Sequence, residues 1–216
     1  MIKAIIFDYD GVLFDSVAVG FEAYRNITDY LKLNRIRTME EFRSAQRHGY
    51  KMLLDDWGIA DQKVREQTKA IYLKKNEQLK EKIRLIPGIK RILEELSRKH
   101  TLAVASGTYN ELIQERLKTL GISHYFSVII GNRDVANNKP SPDIINLALE
   151  KLKIKPHEAV YVGDMVFDVI AGKAANVKTI AIANEFSWNK REHLEEQQPD
   201  VIINKHEELL NAVDDI

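Results

Sequence analysis

The sequence predicts an α/β protein: a parallel sheet with helices on both faces and a helical segment inserted after its first strand. Three observations lead there. Short apolar runs recur at residues 2–7, 101–106, 127–130, 159–162, 177–183 and 201–203, as strands buried on both faces require. Between the later runs, apolar residues return at helical spacing. Residues 17–84 break this alternation, with many helix formers and no convincing strand.

Taken in order, residues 2–7 form the first strand and run into Asp8, Asp10 and Asp15. Inside the insertion, the charged run 61–83 reads as a helix with Asp61 at its N-cap. Its apolar stripe (Val64, Ile71, Tyr72, Leu79) is thin, so most of that helix faces water. Pro87-Gly88 punctuates the return, and Ile89, Ile92, Leu93 and Leu96 then fall at i, i+3, i+4 and i+7. After strand 101–106, Leu112, Ile113, Leu117 and Leu120 mark a helix that Gly121 stops. Strand 127–130 precedes helix 143–152, carried by Ile144, Ile145, Ala148, Leu149 and Leu152. Strands 159–162, 177–183 and 201–203 complete the sheet. Residues 1–16 and 85–216 are therefore expected to form the α/β core, and 17–84 a small helical domain.

Composition narrows the function. Of 216 residues, 44% are hydrophobic and 30% charged, the balance of a soluble globular chain. Lys plus Arg equals Asp plus Glu at 32 each, so no global field points to nucleic acid or an acidic membrane. Cysteine is absent, which excludes disulfides, thiolate metal sites and cysteine nucleophiles and suits a cytoplasmic protein. No stretch approaches the ~20 apolar residues of a membrane span. The N-terminal apolar run, broken by Lys3 and Asp8, is too short for a signal peptide. A monomer or homodimer is expected.

Ligands of parallel α/β sheets sit beyond the carboxyl ends of the strands. There the sequence places Asp8 and Asp10, Ser106 and Gly107, Asp164 with Asp168 after it, and Lys139 in "NNKPSPD". Two carboxylates about 4 Å apart repel by roughly 4 kcal/mol at an effective dielectric of ~20, so Asp8 and Asp10 call for a positive partner. An ionised carboxylate attacks without a base to activate it. Attack on a phosphoryl group needs a divalent cation against the repulsion, and hard oxygen ligands suit Mg²⁺. Asp8 and Asp164 are the candidate ligands, with Asp168 close by or acting through water. Asp10 can protonate the leaving oxygen and later activate water. Ser106 and adjacent N–H groups can hold phosphate oxygens, although Ser106 also fits a plain helix cap. Lys139 supplies a point charge to the same oxygens.

"DYDGVLFDS" (8–16), Ser106, "KPSP" (139–142) and "GDMVFD" (163–168) resemble, in order and spacing, the four motifs of the haloacid dehalogenase-like superfamily. The likeness is strongest to its phosphoglycolate phosphatase-type members. It implies a Rossmann-like core with an inserted helical cap, and an aspartyl-phosphate on Asp8. It also implies metal ligation by Asp8, the main-chain carbonyl of Asp10 and Asp164, with Asp168 in support. Val12 and Met165 depart from the pattern, standing where Thr and Ser are frequent. Haloacid-dehalogenating members lack the second Asp, so Asp10 argues for C–O–P chemistry. The expected function is Mg²⁺-dependent hydrolysis of a small phosphorylated metabolite, phosphoglycolate-like or a sugar phosphate. The alternatives are a phosphoglucomutase-like phosphoryl transferase on the same scaffold and a non-catalytic binding module.

"RHG" (47–49) spells the nucleophile triplet of histidine phosphatases, but there it follows an N-terminal strand and here it follows a helical pattern. Arg47 and His48 are instead candidates to face the site from the cap and read the substrate. Trp57 and Trp188 read as packing residues, and the remaining histidines show no metal-ligand spacing.

Overall fold

The computed structural model describes residues 1–46 and 49–216, with no side-chain description at 49–52. Six parallel strands form the main sheet: β1 (Ala4–Phe7), β4 (Thr101–Ala105), β5 (Phe126–Ile130), β6 (Ala159–Gly163), β7 (Lys178–Ile182) and β8 (Val201–Ile203). Their spatial order is β5-β4-β1-β6-β7-β8. All six were legible as apolar runs because both faces of the sheet are covered.

Alternation along each strand divides two cores. Ile5, Phe7, Leu102, Val104, Val160 and Val162 point to one face. There α5 (Ile89–Ser97), α6 (Asn110–Thr119) and α10 (Leu209–Asp215) cover them. Ala4, Ile6, Ala103, Ala105 and Tyr161 point to the other, beneath α7 (Asp143–Leu152) and α8 (Val166–Ala174). Alanine at three of those strand positions lets the two helices approach closely. The short α9 (Arg191–Glu195) packs beside α8.

The segment expected to be helical holds α1 (Val17–Tyr30), α2 (Met39–Ala45), α3 (Gly49–Asp56) and α4 (Gln62–Leu79). Thr38 and Glu41 close a capping box on α2, and the Asp61 carboxylate accepts Val64 N–H at 3.0 Å. One detail departs from the sequence reading. Arg84 lies in a two-residue strand, β3 (Arg84–Leu85), paired antiparallel with β2 (Phe14–Asp15). A ribbon that short has no alternation for a sequence to display. It brings both ends of 17–84 to one place at the edge of the core. Among the described residues, no helix is long and apolar enough to cross a membrane.

Candidate active site

The chain runs outward from β1 through β4 to β5, then returns to β6 on the other side of β1. That reversal opens a crevice at the carboxyl ends of β1 and β6. Asp8 continues the ladder there, its N–H donating to Val162 O at 2.8 Å. A tight turn follows, in which Gly11 N–H donates to Phe14 O at 2.9 Å. Gly11 has φ +73°, and a Cβ at this position would lie 2.1 Å from Asp164 Oδ2. Only glycine satisfies both constraints.

Asp164 follows β6 and is fully buried. Its Oδ2 accepts the Trp188 N–H at 2.6 Å, and its Oδ1 accepts nothing. Asp8 Oδ1 also accepts no hydrogen bond, although Lys139 Nζ lies 2.9 Å away as a charge contact. Asp168, in the first turn of α8, is saturated. Its Oδ2 accepts the N–H groups of Asp164 and Met165 at 3.0 and 2.9 Å, and its Oδ1 pairs with Lys139. Lys139 also donates to Tyr161 OH at 3.0 Å, which donates in turn to Ala105 O at 2.7 Å. Asp8 and Asp164 at the strand ends, Asp168 on α8 and the loop lysine thus meet in one buried cluster.

Asp8, Asp164 and Asp168 each present an oxygen within 4.8 Å of the others. Burial pushes the Asp164 carboxyl well above the ordinary range, and the charges of Asp168 and Asp8 add to it. Burial raises Asp168 to about 6, with Lys139 pulling it down. Burial opposes the charge on Lys139, but Asp168 and Asp8 outweigh it and hold its pKa well above the usual value. When all are ionised, three carboxylates against one ammonium leave two negative charges in excess. Asp164 Oδ1, which accepts no hydrogen bond, and Asp8 Oδ1, which meets only the Lys139 charge, lie within that excess, which is the donor chemistry of a divalent cation site.

Asp10 stands outside this cluster. Its Oδ2 accepts Thr108 Oγ1–H at 3.0 Å, the Ser16 hydroxyl also bonds it, and burial raises its pKa. Ser106 is buried, with its N–H donating to Ile130 O at 3.1 Å. It does not cap α6, whose N-cap position is Tyr109. Its Oγ has only a long 3.4 Å contact from Thr108 N–H, so the hydroxyl can turn to a ligand. Gly107 and Asp10 line a cleft of about 610 Å³ that continues between α4 and α6 past Tyr72, Leu112 and Arg116. Arg47 and His48 lie outside the described residues.

Sequence reading missed Thr108, Tyr161, Ser16 and the main chain of Trp188. A hydroxyl inside a strand and an N–H in a loop carry no signature in residue order. Val12, one of the two departures, is buried in the larger core, and Met165 packs toward the helical segment.

The class so defined is a parallel α/β protein with an oxygen-donor centre at the switch point of its sheet, next to a cleft that Asp10 and Gly107 line together with the inserted helix α4. The chain belongs to the haloacid dehalogenase-like hydrolase family, which matches residues 5–182. It is 32% identical over 225 residues to a phosphorylated carbohydrates phosphatase of Thermotoga maritima, covering 99% of each chain. To the phosphoglycolate phosphatase of Escherichia coli K12 it is 30% identical over 235 residues, covering 98% of this chain and 92% of that one. The solved haloacid dehalogenase-like hydrolase SP0104 from Streptococcus pneumoniae superposes with a TM-score of 0.83 at 25% identity, covering 98% of each chain.

Proposed function

We propose that the protein is a Mg²⁺-dependent phosphatase that hydrolyses a small phosphorylated metabolite through an aspartyl-phosphate on Asp8. The observation that carries the reading is the pairing of Asp8 with Asp164: two buried carboxylates beside one lysine, Asp164 Oδ1 with no hydrogen-bond partner and Asp8 Oδ1 met only by the charge of Lys139. Asp8, Asp164 and the main-chain carbonyl of Asp10 would hold the cation, while Asp168 keeps Lys139 and the 163–165 turn in place. When bound, the cation offsets the repulsion between carboxylate and phosphate and polarises the phosphoryl group.

The residues then divide the work. An Asp8 carboxylate oxygen forms a bond to phosphorus as the bond to the leaving oxygen breaks, and Asp10 gives that oxygen its proton. In the second half Asp10 takes a proton from water as the water attacks phosphorus, and Asp8 is released. The Ser106 hydroxyl and Gly107 N–H hold phosphate oxygens, and Lys139 stabilises the charge that develops on them. Burial raises the pKa of Asp10, the direction that favours a proton on a general acid.

Residues 17–84 act in this reading as a cap domain on a core of 1–16 and 85–216, joined at the β2–β3 ribbon. The substrate is a sugar phosphate or a phosphoglycolate-like ester, in keeping with the relatives at 30% identity and above. Phosphate release across a panel of phosphorylated metabolites, with Mg²⁺ and with EDTA, tests it. Release that needs Mg²⁺ is expected. Isomerisation dependent on a bisphosphate activator, with little free phosphate, would replace it with the mutase reading.

A further inference from the structure

We propose that Trp188 is a positioning residue for two carboxylates of the site, holding Asp164 by its main chain and Asp10 through its side chain. It thereby ties both to the seat of the helical segment. The inference rests on the phosphatase reading for the roles of those two carboxylates.

Trp188 sits in the loop between β7 and α9, yet it is the buried residue that the 85–216 segment contributes to a cluster of Val17, Tyr24, Ile36, Phe42 and Leu53. Its ring lies 5.4 Å from that of Phe42 in α2. Against α1 the fit is tight: a Cβ at Gly20 would stand 2.4 Å from Trp188 Cη2. From this seat Nε1–H donates to Ser16 Oγ at 3.2 Å. The Ser16 hydroxyl in turn stands beside the Asp10 carboxylate and favours its charged form. The main-chain N–H of Trp188 meanwhile donates to Asp164 Oδ2 at 2.6 Å and leaves Oδ1 for a ligand.

The loop is braced on both sides of the tryptophan. Asn189 Oδ1 accepts the Val166 N–H at the start of α8 at 2.7 Å, and Ser187 Oγ donates to Ile182 O at 2.9 Å. Arg43 of α2 donates to Glu185 O, and Lys190 pairs with Glu40 of α2. The loop that carries the Asp164 donor thus touches both the core and α2. Apolar packing asks only for a large side chain; the indole N–H is what a packing role alone does not require.

The test uses Trp188→Phe, Ser16→Ala and Trp188→Ala, with Trp57→Phe as a control in the same cluster. kcat and KM are measured on p-nitrophenyl phosphate, and Mg²⁺ binding by calorimetry without substrate. Trp188→Phe and Ser16→Ala should each lower kcat roughly tenfold with KM and the Mg²⁺ Kd unchanged, since one hydrogen bond is lost and the main-chain donor stays. Trp188→Ala should also weaken Mg²⁺ binding roughly tenfold as the loop loses its seat. Trp57→Phe should leave all three quantities as they are. Wild-type kcat in either relay variant overturns the proposal, and so does an equal loss in Trp57→Phe. If Trp188→Ala does not fold, the two relay variants decide. A wild-type enzyme that binds Mg²⁺ but turns over no ester defeats the phosphatase reading instead, and Mg²⁺ binding by Trp188→Ala then decides the hold on Asp164.

Discussion

The carboxyl edge of the sheet and the outer helix of the insertion are built on opposite terms. At the edge Asp8, Asp164 and Asp168 are each 3% exposed or less, and the oxygens that are held take main-chain N–H groups or Lys139. Across the cleft, the 18 residues of α4 bury Thr68 alone among those described, and the helix leans on α1 through Tyr24 and Tyr72. The edge accepts a large desolvation cost to fix charged groups, because chemistry needs them placed to within fractions of an ångström. The helix carries side chains that can be exchanged without disturbing that placement. Under the proposed function, reaction and recognition fall to regions that differ in burial, which would let one reaction serve different leaving groups.

The contrast can be broken most decisively at Asp8. Asp8→Asn should lower kcat on p-nitrophenyl phosphate by at least about 1000-fold while circular dichroism shows an intact fold. Near-normal turnover would move the chemistry away from this edge. Asp168→Ala removes the partner of Lys139 and the acceptor of two main-chain N–H groups, and should cost roughly 3 kcal/mol in urea unfolding. A loss below about 1 kcal/mol would mean the pair behaves like a surface ion pair, and the claim of a rigid edge would fall.

The recognition side is probed by Leu73→Ala and Leu112→Ala, two side chains exposed by 41% and 43% on opposite walls of the cleft. Each should raise KM for a bulky aryl phosphate by roughly threefold to tenfold and leave kcat within about twofold. An equal fall in kcat would show that the cleft serves the transition state. Lys63→Ala, on the exposed side of α4, should change unfolding stability by less than about 0.5 kcal/mol and leave kinetics unaltered. A larger change would show α4 to be held more firmly than its packing implies.

Much of this was legible in residue order, for reasons that differ by region. The six sheet strands showed themselves because burial on both faces forces unbroken apolar runs, and the residues just past them were therefore conspicuous as carboxylates and a hydroxyl. Lys139 stood out from its stiff proline setting. The β2–β3 ribbon could not be seen, being two residues long on each side. The cleft between α4 and α6 was equally hidden, since its walls come from helices that read as ordinary amphipathic surface.

The sequence by itself determined the sheet, the insertion and the chemical types gathered at the strand ends. Backbone geometry imposes those periodicities locally, whatever the rest of the chain does. Only the tertiary structure decided that Asp168 is saturated while Asp8 and Asp164 each keep an oxygen that accepts no hydrogen bond, and that Asp10 faces the cleft apart from them. It alone brought Trp188 to Asp164 and Ser16, 24 and 172 positions away. Which oxygen is left without a partner depends on distances between segments far apart in the chain, and no local pattern encodes them.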